Sequence, residues 1–341
     1  MKWMGIGLAA LLVVVAVLVI WKIPSRRDAG GASDAAPVPA QRGEEKNPEP
    51  AAITLTQLWD IQQKYFQQIK SFHFDMTMKT GTRPEGQQGE PVWERETRMS
   101  WTVDGEKYRI ETEFLKQATA TSQKAVYAFD GSHYQWLSGP RLYVEKSLDP
   151  NQVKYSPFLG SVPLFMPFGF AYRITTEKGV PTLRVNLEIF KSPETWAAVA
   201  KTAQGIQPTR MLDHDGVLVQ FAEREQAGAK LSQQVFFAKD LGYFPIYTKS
   251  AGTTAGGQMT GHSRVTETKA IGSVLVPMRF EDTSKDSQGK ESVTIMTVDP
   301  ATAQVNQKID PAVFATLVPQ ADIDSGKVKV VDTDALMKRR R

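Results

Sequence analysis

The spacing of apolar residues divides the chain into three parts, and the first part is a continuous apolar run. Residues 4–21 contain no charged side chain, and a helix of that length spans most of the roughly 30 Å hydrocarbon core of a bilayer. A secretory signal peptide is the alternative, because Lys2 precedes the run. However, the run is longer than the apolar part of a usual signal peptide, and no small-x-small cleavage site follows it. The pattern therefore predicts an uncleaved transmembrane anchor over residues 1–23.

The second part begins with a polar segment and leads into an amphipathic helix. Residues 24–52 carry almost no large apolar side chains, which predicts a disordered linker, because such a segment cannot offset the entropy lost on ordering. Thr54 and Gln57 then have the spacing of a capping box. Apolar residues recur after them at helical spacing, at Leu58, Ile61, Tyr65 and Ile69. We expect a helix over residues 54–72 whose apolar side is covered by another surface.

From residue 72 onward the apolar period shortens to two, which is the period of a half-buried strand. Short alternating segments separated by turn residues continue almost to the C-terminus, so we expect an antiparallel meander. Asp–Gly pairs stand between such segments at Asp104–Gly105, Asp130–Gly131 and Asp215–Gly216. Each pair predicts a two-residue type I′ turn, because both residues tolerate the positive φ that this turn requires.

Two segments break the alternation. Residues 156–170 mix three prolines with four phenylalanines, which is incompatible with a central strand. Residues 192–204 predict a short helix, because Ser192 suits the N-cap and Pro193 suits the first helical position.

Composition excludes several classes of function. The chain has 341 residues and a net charge of +4, and much of its basic excess lies near the two ends. This distribution does not resemble the concentrated basic face of a nucleic-acid-binding protein. Cysteine is absent, which excludes disulfides, thiol nucleophiles and cysteine-based metal sites. We expect no cofactor and no nucleic-acid partner.

The residues that could support catalysis fall at predicted turns. Asp130, Ser132 and His133 lie together, but the other two Asp–Gly hairpins have the same pattern without serine and histidine. Asp213, His214 and Asp215 resemble a metal-ligand cluster, yet they also lead into a hairpin, where polar residues are expected. The four histidines form no HExxH motif, and no GxSxG elbow or phosphate-binding loop is present. The sequence therefore predicts a protein that is not an enzyme and has no metal site.

Aromatic and methionine residues offer the remaining candidates for function. Core packing between the sheet and the helix explains most of them, whereas the functional alternative is an apolar cavity inside a curved sheet. Under that alternative, the proline- and phenylalanine-rich segment is a cover, or lid, over the cavity. The candidate ligand-binding residues are Trp101, Tyr127, Trp136, Phe158, Leu164, Phe165, Met166, Phe168 and Phe170.

The order of these patterns resembles a known family. The helix is followed by IKSFHFDMTM, RMSWTVDGEKYRIE, VYAFDGSHYQWL and RLYVEKS, and later by LGYFPIYTKS and VLVPMRFED. The closing NQKIDPAVFATLVPQADI supplies Asp310, Phe314 and Pro319. Together they resemble the bacterial lipoprotein-localisation factors, the LolA/LolB-like proteins and their sigma-factor-regulator relatives, over residues 53–330. The resemblance implies an α+β, mainly β fold: an unclosed, curved antiparallel β-barrel covered by helices. It also implies non-catalytic binding of lipid or lipoprotein acyl chains.

Four regions are expected: an anchor (1–23), a linker (24–52), a LolA/LolB-like domain (53–330) and a basic tail (331–341). The resemblance favours a single-pass protein of the bacterial inner membrane with its domain in the periplasm. The basic residues Lys22, Arg26 and Arg27 oppose this orientation, since a positive-inside count keeps the domain in the cytoplasm. The expected partners are lipid or lipoprotein acyl chains and the membrane. The alternative functions are an envelope-stress sensor or protein-interaction module with an envelope protein partner, and, third, a hydrolase that uses scattered carboxylates.

Overall fold

The structure is a computed structural model. It describes residues 53–83, 89–116, 124–138, 141–145, 164, 166–171, 173–177, 180–184, 187–226, 229–254, 257–315 and 317–332. The predicted anchor and linker lie outside these residues, as do Phe158 and Phe165. In the described part of the chain, no helix has both the length and the apolarity needed to cross a membrane.

The first described element is the expected amphipathic helix, α1 (Leu55–Gln67). The predicted capping box is confirmed: the Gln57 N–H donates to Thr54 Oγ1 (3.2 Å), and the Thr54 N–H donates to Gln57 Oε1 (2.9 Å). The helix ends five residues before the predicted boundary, because strand β1 (Ser71–Arg83) already begins at Ser71. The most buried side chains are those of Leu58, Trp59, Gln62 and Phe66.

Seventeen strands follow the order of the chain. They are β1, β2 (Val92–Asp104), β3 (Lys107–Lys116), β4 (Lys124–Phe129), β5 (Tyr134–Ser138), β6 (Arg141–Glu145), β7 (Arg173–Glu177), β8 (Val180–Arg184), β9 (Ala203–Met211), β10 (His214–Gln226), β11 (Ala229–Ala238), β12 (Phe244–Thr254), β13 (Gly257–Ile271), β14 (Val274–Lys285), β15 (Glu291–Val298), β16 (Gln304–Val305) and β17 (Lys329–Asp332). The other helices are a 3₁₀ helix (Met166–Ala171), α2 (Leu187–Lys191), α3 (Pro193–Ala200), α4 (Ala312–Ala315) and α5 (Gln320–Asp324).

Fifteen of the strands form one sheet, and β7 and β8 form a separate hairpin. The order in the sheet is β17-β6-β5-β4-β3-β2-β1-β15-β14-β13-β12-β11-β10-β9, with β16 beside β1. The end strands β17 and β9 do not pair with each other, so the sheet is unclosed. The mainly β, unclosed, curved architecture is therefore confirmed. Two meanders, β1–β6 and β9–β15, meet where β1 pairs with β15.

None of the three predicted two-residue turns forms as expected. The connection at Asp130–Gly131 has four residues, 130–133, because Phe129 pairs with Tyr134, and the other two turns are displaced. At Asp104–Gly105 the loop consists of residues 105 and 106, because Asp104 still pairs with Lys107. The Asp215–Gly216 turn is wrong: the chain reverses at Leu212 and Asp213, which have φ angles of 52° and 67°. Gly216 lies inside β10, where an added Cβ would come within 2.1 Å of the Phe237 carbonyl oxygen. Gly216 therefore allows two strands to lie close together, and it does not form a turn.

The predicted short helix after Ser192 is confirmed as α3, although β9 begins at Ala203, one residue before the predicted helix end. The Ser192 side chain makes no capping bond to the helix backbone, and its hydroxyl donates to the Glu194 carboxylate instead.

Different elements cover the two faces of the sheet. The inner face is the one that carries Phe72, Phe74, Met76 and Met78 on β1, and it shares the main core with α1, α2 and α3. The opposite, outer face has a smaller core on β4–β6, where the C-terminal segment supplies Leu317, Val318 and Val328. That segment ends as β17, which pairs with β6 in parallel.

Candidate functional site

The inner face changes from apolar to polar along β1. Phe72, Phe74 and Met76 are buried, and Met78 is 8% exposed. Thr80 comes next on the same face and is half-buried. At about 3.3 Å per residue, the apolar part from Phe72 to Met78 is roughly 20 Å long. The inner face thus has an extended apolar region that ends at a polar border.

Three of the predicted site residues share one line across the strands of the inner face. Trp101, Tyr127 and Trp136 lie in one cross-strand row, which also contains Phe74, Ile110 and Tyr143. We call this the aromatic row. Trp101 is only 1% exposed, whereas Trp136 is half-buried and stacks on Tyr143 with ring centroids 4.7 Å apart. The row therefore continues from the core to the surface.

The aromatic row contains a buried hydrogen-bond donor without a partner. Among the described residues, no acceptor lies within hydrogen-bond reach of the Trp101 indole N–H. Leaving such a group unpaired costs about 1–3 kcal/mol. Cross-strand packing against Phe74 and Ile110 holds the ring in place despite that cost.

The described lid residues pack in the same core as Trp101. Leu164 and Phe168 are fully buried, and Met166 packs against the same core. The Phe168 ring lies 4.6 Å from Phe66 and 5.5 Å from Phe244, measured between centroids. The 3₁₀ helix thus inserts an aromatic plug between α1 and β12. Phe170 belongs to that helix, but the structure does not describe its side chain.

Sequence reasoning missed the aromatic side chains that surround the plug. Trp59 of α1 stacks on Trp196 of α3, with centroids 6.1 Å apart. The Trp196 indole N–H donates to the Phe190 carbonyl oxygen at 2.7 Å, which joins α3 to α2. Trp59 lies in the predicted helix but is not one of the residues of its predicted apolar side. Only its large apolar side chain could have indicated from the sequence that it is buried.

Sequence reasoning also missed a polar row at the border of the apolar region. Its members pair across five strands and share the inner face: Thr80, Thr294, Asp282, Ser263 and Thr248. We call this the polar row. The Ser263 hydroxyl donates to Asp282 Oδ1 at 2.5 Å, and the hydroxyl oxygens of Thr80 and Thr294 lie 3.3 Å apart.

The surroundings of Asp282 perturb its protonation. Burial raises the pKa of its carboxyl group above the ordinary aspartate value, although the hydrogen bond from Ser263 and the charge interaction with His262 act to lower it. The next row on the inner face contains Thr82, Ser292, Ser284, Gly261 and Ser250. On β1 and β12–β15, Asp282 is the only ionisable residue in these two rows. On β2 the polar row continues with Arg95, which stands opposite Thr80.

Asp130, Ser132 and His133 lie in the loop between β4 and β5, and their hydrogen bonds hold that loop together. Asp130 Oδ1 accepts the backbone N–H groups of Ser132 (2.8 Å) and His133 (2.7 Å), together with the Ser132 hydroxyl (2.9 Å). Partial burial acts to raise the pKa of Asp130, but these hydrogen bonds outweigh it and lower the pKa. The carboxylate thus closes the four-residue connection between β4 and β5.

The predicted Asp213–His214–Asp215 cluster, at the connection between β9 and β10, does not form a metal site. His214 Nδ1 lies 2.7 Å from the Asp240 carboxylate, while Asp213 occupies the turn. Within the described part of the chain, no three histidine, aspartate or glutamate side chains are grouped so as to hold a metal ion.

Comparison with known proteins gives matches to solved structures only. No protein-family model matches the chain, and no curated protein does. The chain is similar to a DUF1329 family protein from Desulfovibrio piger, with 9% identity, a TM-score of 0.41, and coverage of 76% of this chain and 96% of that one. It is also similar to a LolA superfamily protein from Nitrosomonas europaea, with 11% identity, a TM-score of 0.33, and coverage of 78% and 99%.

A third similar structure is LprF from Mycobacterium bovis, with 10% identity, a TM-score of 0.28, and coverage of 75% and 94%. One of these similar structures is thus a protein of the superfamily that the sequence patterns resemble. At these identities and TM-scores the similarity carries no functional argument, so any functional conclusion depends on the residues of this chain.

Proposed function

We propose that this protein is a membrane-anchored envelope protein that binds the acyl chain of a lipid or lipoprotein on the inner face of its sheet, without catalysis. The observation that carries the proposal is the change along β1 from buried Phe72, Phe74, Met76 and Met78 to half-buried Thr80. An amphiphile has the same order of properties, with an apolar chain followed by a polar head.

The residues of the apolar region suit a flexible ligand. Met76 and Met78 on β1 adjoin Met99 on β2 and Met296 on β15. Methionine side chains are unbranched and adaptable, so they repack around ligands of varying shape. Each CH₂ group of a buried acyl chain contributes about 0.8 kcal/mol. A few buried methylenes would therefore offset the cost of rearranging this surface.

The aromatic plug is the element that would move in this proposal. The Phe168 side chain fills space between α1 and β12 in the structure. An acyl chain that enters from the polar border would displace the 3₁₀ helix and take over its contacts with the core. The predicted role of residues 158–170 as a lid is thus part of the proposal.

A protein-interaction module remains the second candidate function. Strand β9 ends the sheet and pairs only with β10 in the described part of the chain, so a partner strand could add to its free edge. Pro208 lies in the middle of β9 and has no N–H to donate. The edge is therefore poorly suited to strand addition, and acyl binding is the better-supported function.

Photocrosslinking of an acyl probe tests the proposal. Cells that produce the full chain are given a fatty acid with a diazirine group, and crosslinked peptides are identified by mass spectrometry after irradiation. Peptides from β1, β2 and β15 are expected to carry the probe. Met78→Gln places an amide in the apolar region, and because burying such a group costs about 1–3 kcal/mol, it should lower this yield roughly tenfold.

Lys79→Gln is the matched control, because Lys79 follows Met78 on β1 and faces outward, where it pairs with Glu96. That variant should keep the wild-type yield, and a melting-temperature measurement on both variants shows whether they remain folded. Crosslinks confined to residues 1–23 would contradict acyl binding by the domain.

A further inference from the structure

We propose that the polar row is the binding site for a primary ammonium group of the bound amphiphile, with Asp282 as its counter-ion. The inference rests on the proposed acyl-binding function and names the class of ligand. It depends on the position of Asp282, on its lack of a cationic partner, and on the apolar residues beside it.

The sheet register fixes the position of Asp282. On β14 it lies opposite Thr294 of β15 on one side and Ser263 of β13 on the other. All three share the inner face with buried Phe280, which is two residues from Asp282 on the same strand. The carboxylate therefore stands at the border between the hydroxyl groups and the apolar region.

Asp282 forms no salt bridge with a lysine or arginine within the described part of the chain, and the charge interaction with His262 is the smallest of the effects on its pKa. Its one hydrogen-bond partner there is the Ser263 hydroxyl, which reaches Oδ1 and leaves Oδ2 available. The adjacent Glu281 behaves differently, because it faces outward and pairs with Arg264 and Arg279. His262 precedes Ser263 and also faces outward, where its ring stacks near Tyr247.

A half-buried carboxylate without a cation is costly, and a bound cation would remove that cost. An ammonium group has three N–H donors and no acceptor. Asp282 Oδ2 can accept one donor, and the hydroxyl oxygen of Thr294, which stands opposite Asp282 on the adjacent strand, can accept a second. An anionic head group would instead be repelled by Asp282.

The apolar neighbours of the row select an amphiphile over a small hydrophilic amine. Met78 and Met296 pair with each other in the row next to Thr80 and Thr294. A chain attached to the ammonium-bearing head would therefore extend over methionine side chains. The chemistry fits the ethanolamine head group of a phospholipid, and free ethanolamine is the competing source of the same group.

The experiment uses the full chain in nanodiscs and two photoactivatable lipids with identical diazirine acyl chains. One lipid is phosphatidylethanolamine and the other is phosphatidylglycerol. Crosslinking to β1, β14 and β15 of the wild-type chain is expected to favour phosphatidylethanolamine roughly tenfold, the effect of one charge-assisted hydrogen bond. Asp282→Asn keeps the shape and an acceptor for Ser263 but has no charge, so the preference should disappear.

Glu281→Gln is the matched control, since it removes the neighbouring carboxylate on the outer face and should keep the wild-type preference. Equal crosslinking of both lipids by wild-type and Asp282→Asn chains would overturn the ammonium site and leave acyl binding intact. Absence of crosslinks to the domain from either lipid would overturn both proposals. If millimolar ethanolamine abolished the preference, a free amine would replace the lipid head group as the ligand.

Discussion

Asp282 is an aspartate on a face that otherwise carries hydroxyl and apolar side chains along its strand. The sequence gives no reason to select it, because it is one of 37 acidic residues and stands in a polar stretch of the chain. Only the pairing of β13, β14 and β15 places it between Ser263 and Thr294. A side chain that is costly to bury is retained most readily where a ligand repays the cost.

The protonation of Asp282 leads to a prediction about stability. Burial raises the pKa of this carboxyl group in the folded chain. The folded state then holds the proton at a pH where the unfolded state has lost it, so stability falls as the pH rises from about 3.9 through the raised pKa. The Asp282→Asn variant has no carboxyl group at this position, so its stability does not fall with rising pH for this reason. We expect the variant to melt above the wild-type chain at pH 7 and together with it near pH 3.

Thermal unfolding of the full chain in detergent at the two pH values measures this difference. Glu281→Gln is again the control, because it breaks an ion pair with Arg264 and should give no gain at pH 7. A gain for Asp282→Asn that is equally large near pH 3 would contradict the assignment to ionisation.

At the scale of residues, the aromatic members of the candidate site were predictable in part from the sequence. Trp101, Tyr127 and Trp136 were selected for their size, and they do share one row, because each stands at the same phase of its strand. The polar row was not predictable. Serine and threonine are frequent, and a one-residue change of register would move any of them to the other face.

At the scale of elements, the 3₁₀ helix places a phenylalanine side chain in the core. Phe168 is fully buried among aromatic rings. Truncation of a buried phenylalanine to alanine costs about 3–5 kcal/mol, so Phe168→Ala should lower the free energy of unfolding by that amount. Phe168→Leu retains most of the volume and should cost about 1.5 kcal/mol or less.

Urea unfolding of the full chain measures these costs. Val92→Ala is the control, since Val92 is 63% exposed, and its effect should stay within about 0.5 kcal/mol. A cost below about 1 kcal/mol for Phe168→Ala would show that the plug contributes little to the folded state.

Elements whose signals are local were predicted well, and those that depend on distant pairing were not. The capping box of Thr54 and Gln57 fixes the start of α1 without help from the rest of the chain. Strand alternation is equally local. The turn near Asp215 moved because the registers of β9 and β10 put Gly216 at a close strand contact. Parallel pairing of β17 with β6 has no local signal at all.

At the scale of the whole molecule, the proposed function requires the domain to face the periplasm. The count of basic residues beside residues 4–21 opposes that orientation, whereas the proposed lipid and lipoprotein ligands favour it. Fusion of alkaline phosphatase after Arg341 is expected to give an active enzyme, and fusion of a green fluorescent protein at the same site is expected to give no fluorescence.

The same fusions on a chain without residues 1–23 are the control, and they should give inactive phosphatase and a fluorescent protein. A fluorescent fusion on the full chain would place the domain in the cytoplasm and contradict the proposed localisation.

The central position of β1 has a consequence for how the molecule is made. Among the described strands β1 is synthesised first, yet one of its edges pairs with β15, which is synthesised much later. Closing so long a loop is slow, and sheets with such distant partners are slow to form. During synthesis β1 therefore presents a free edge, lined with phenylalanine and methionine, until β15 arrives. Such an edge is a template for association with other chains, so the nascent protein depends on being shielded for most of its synthesis.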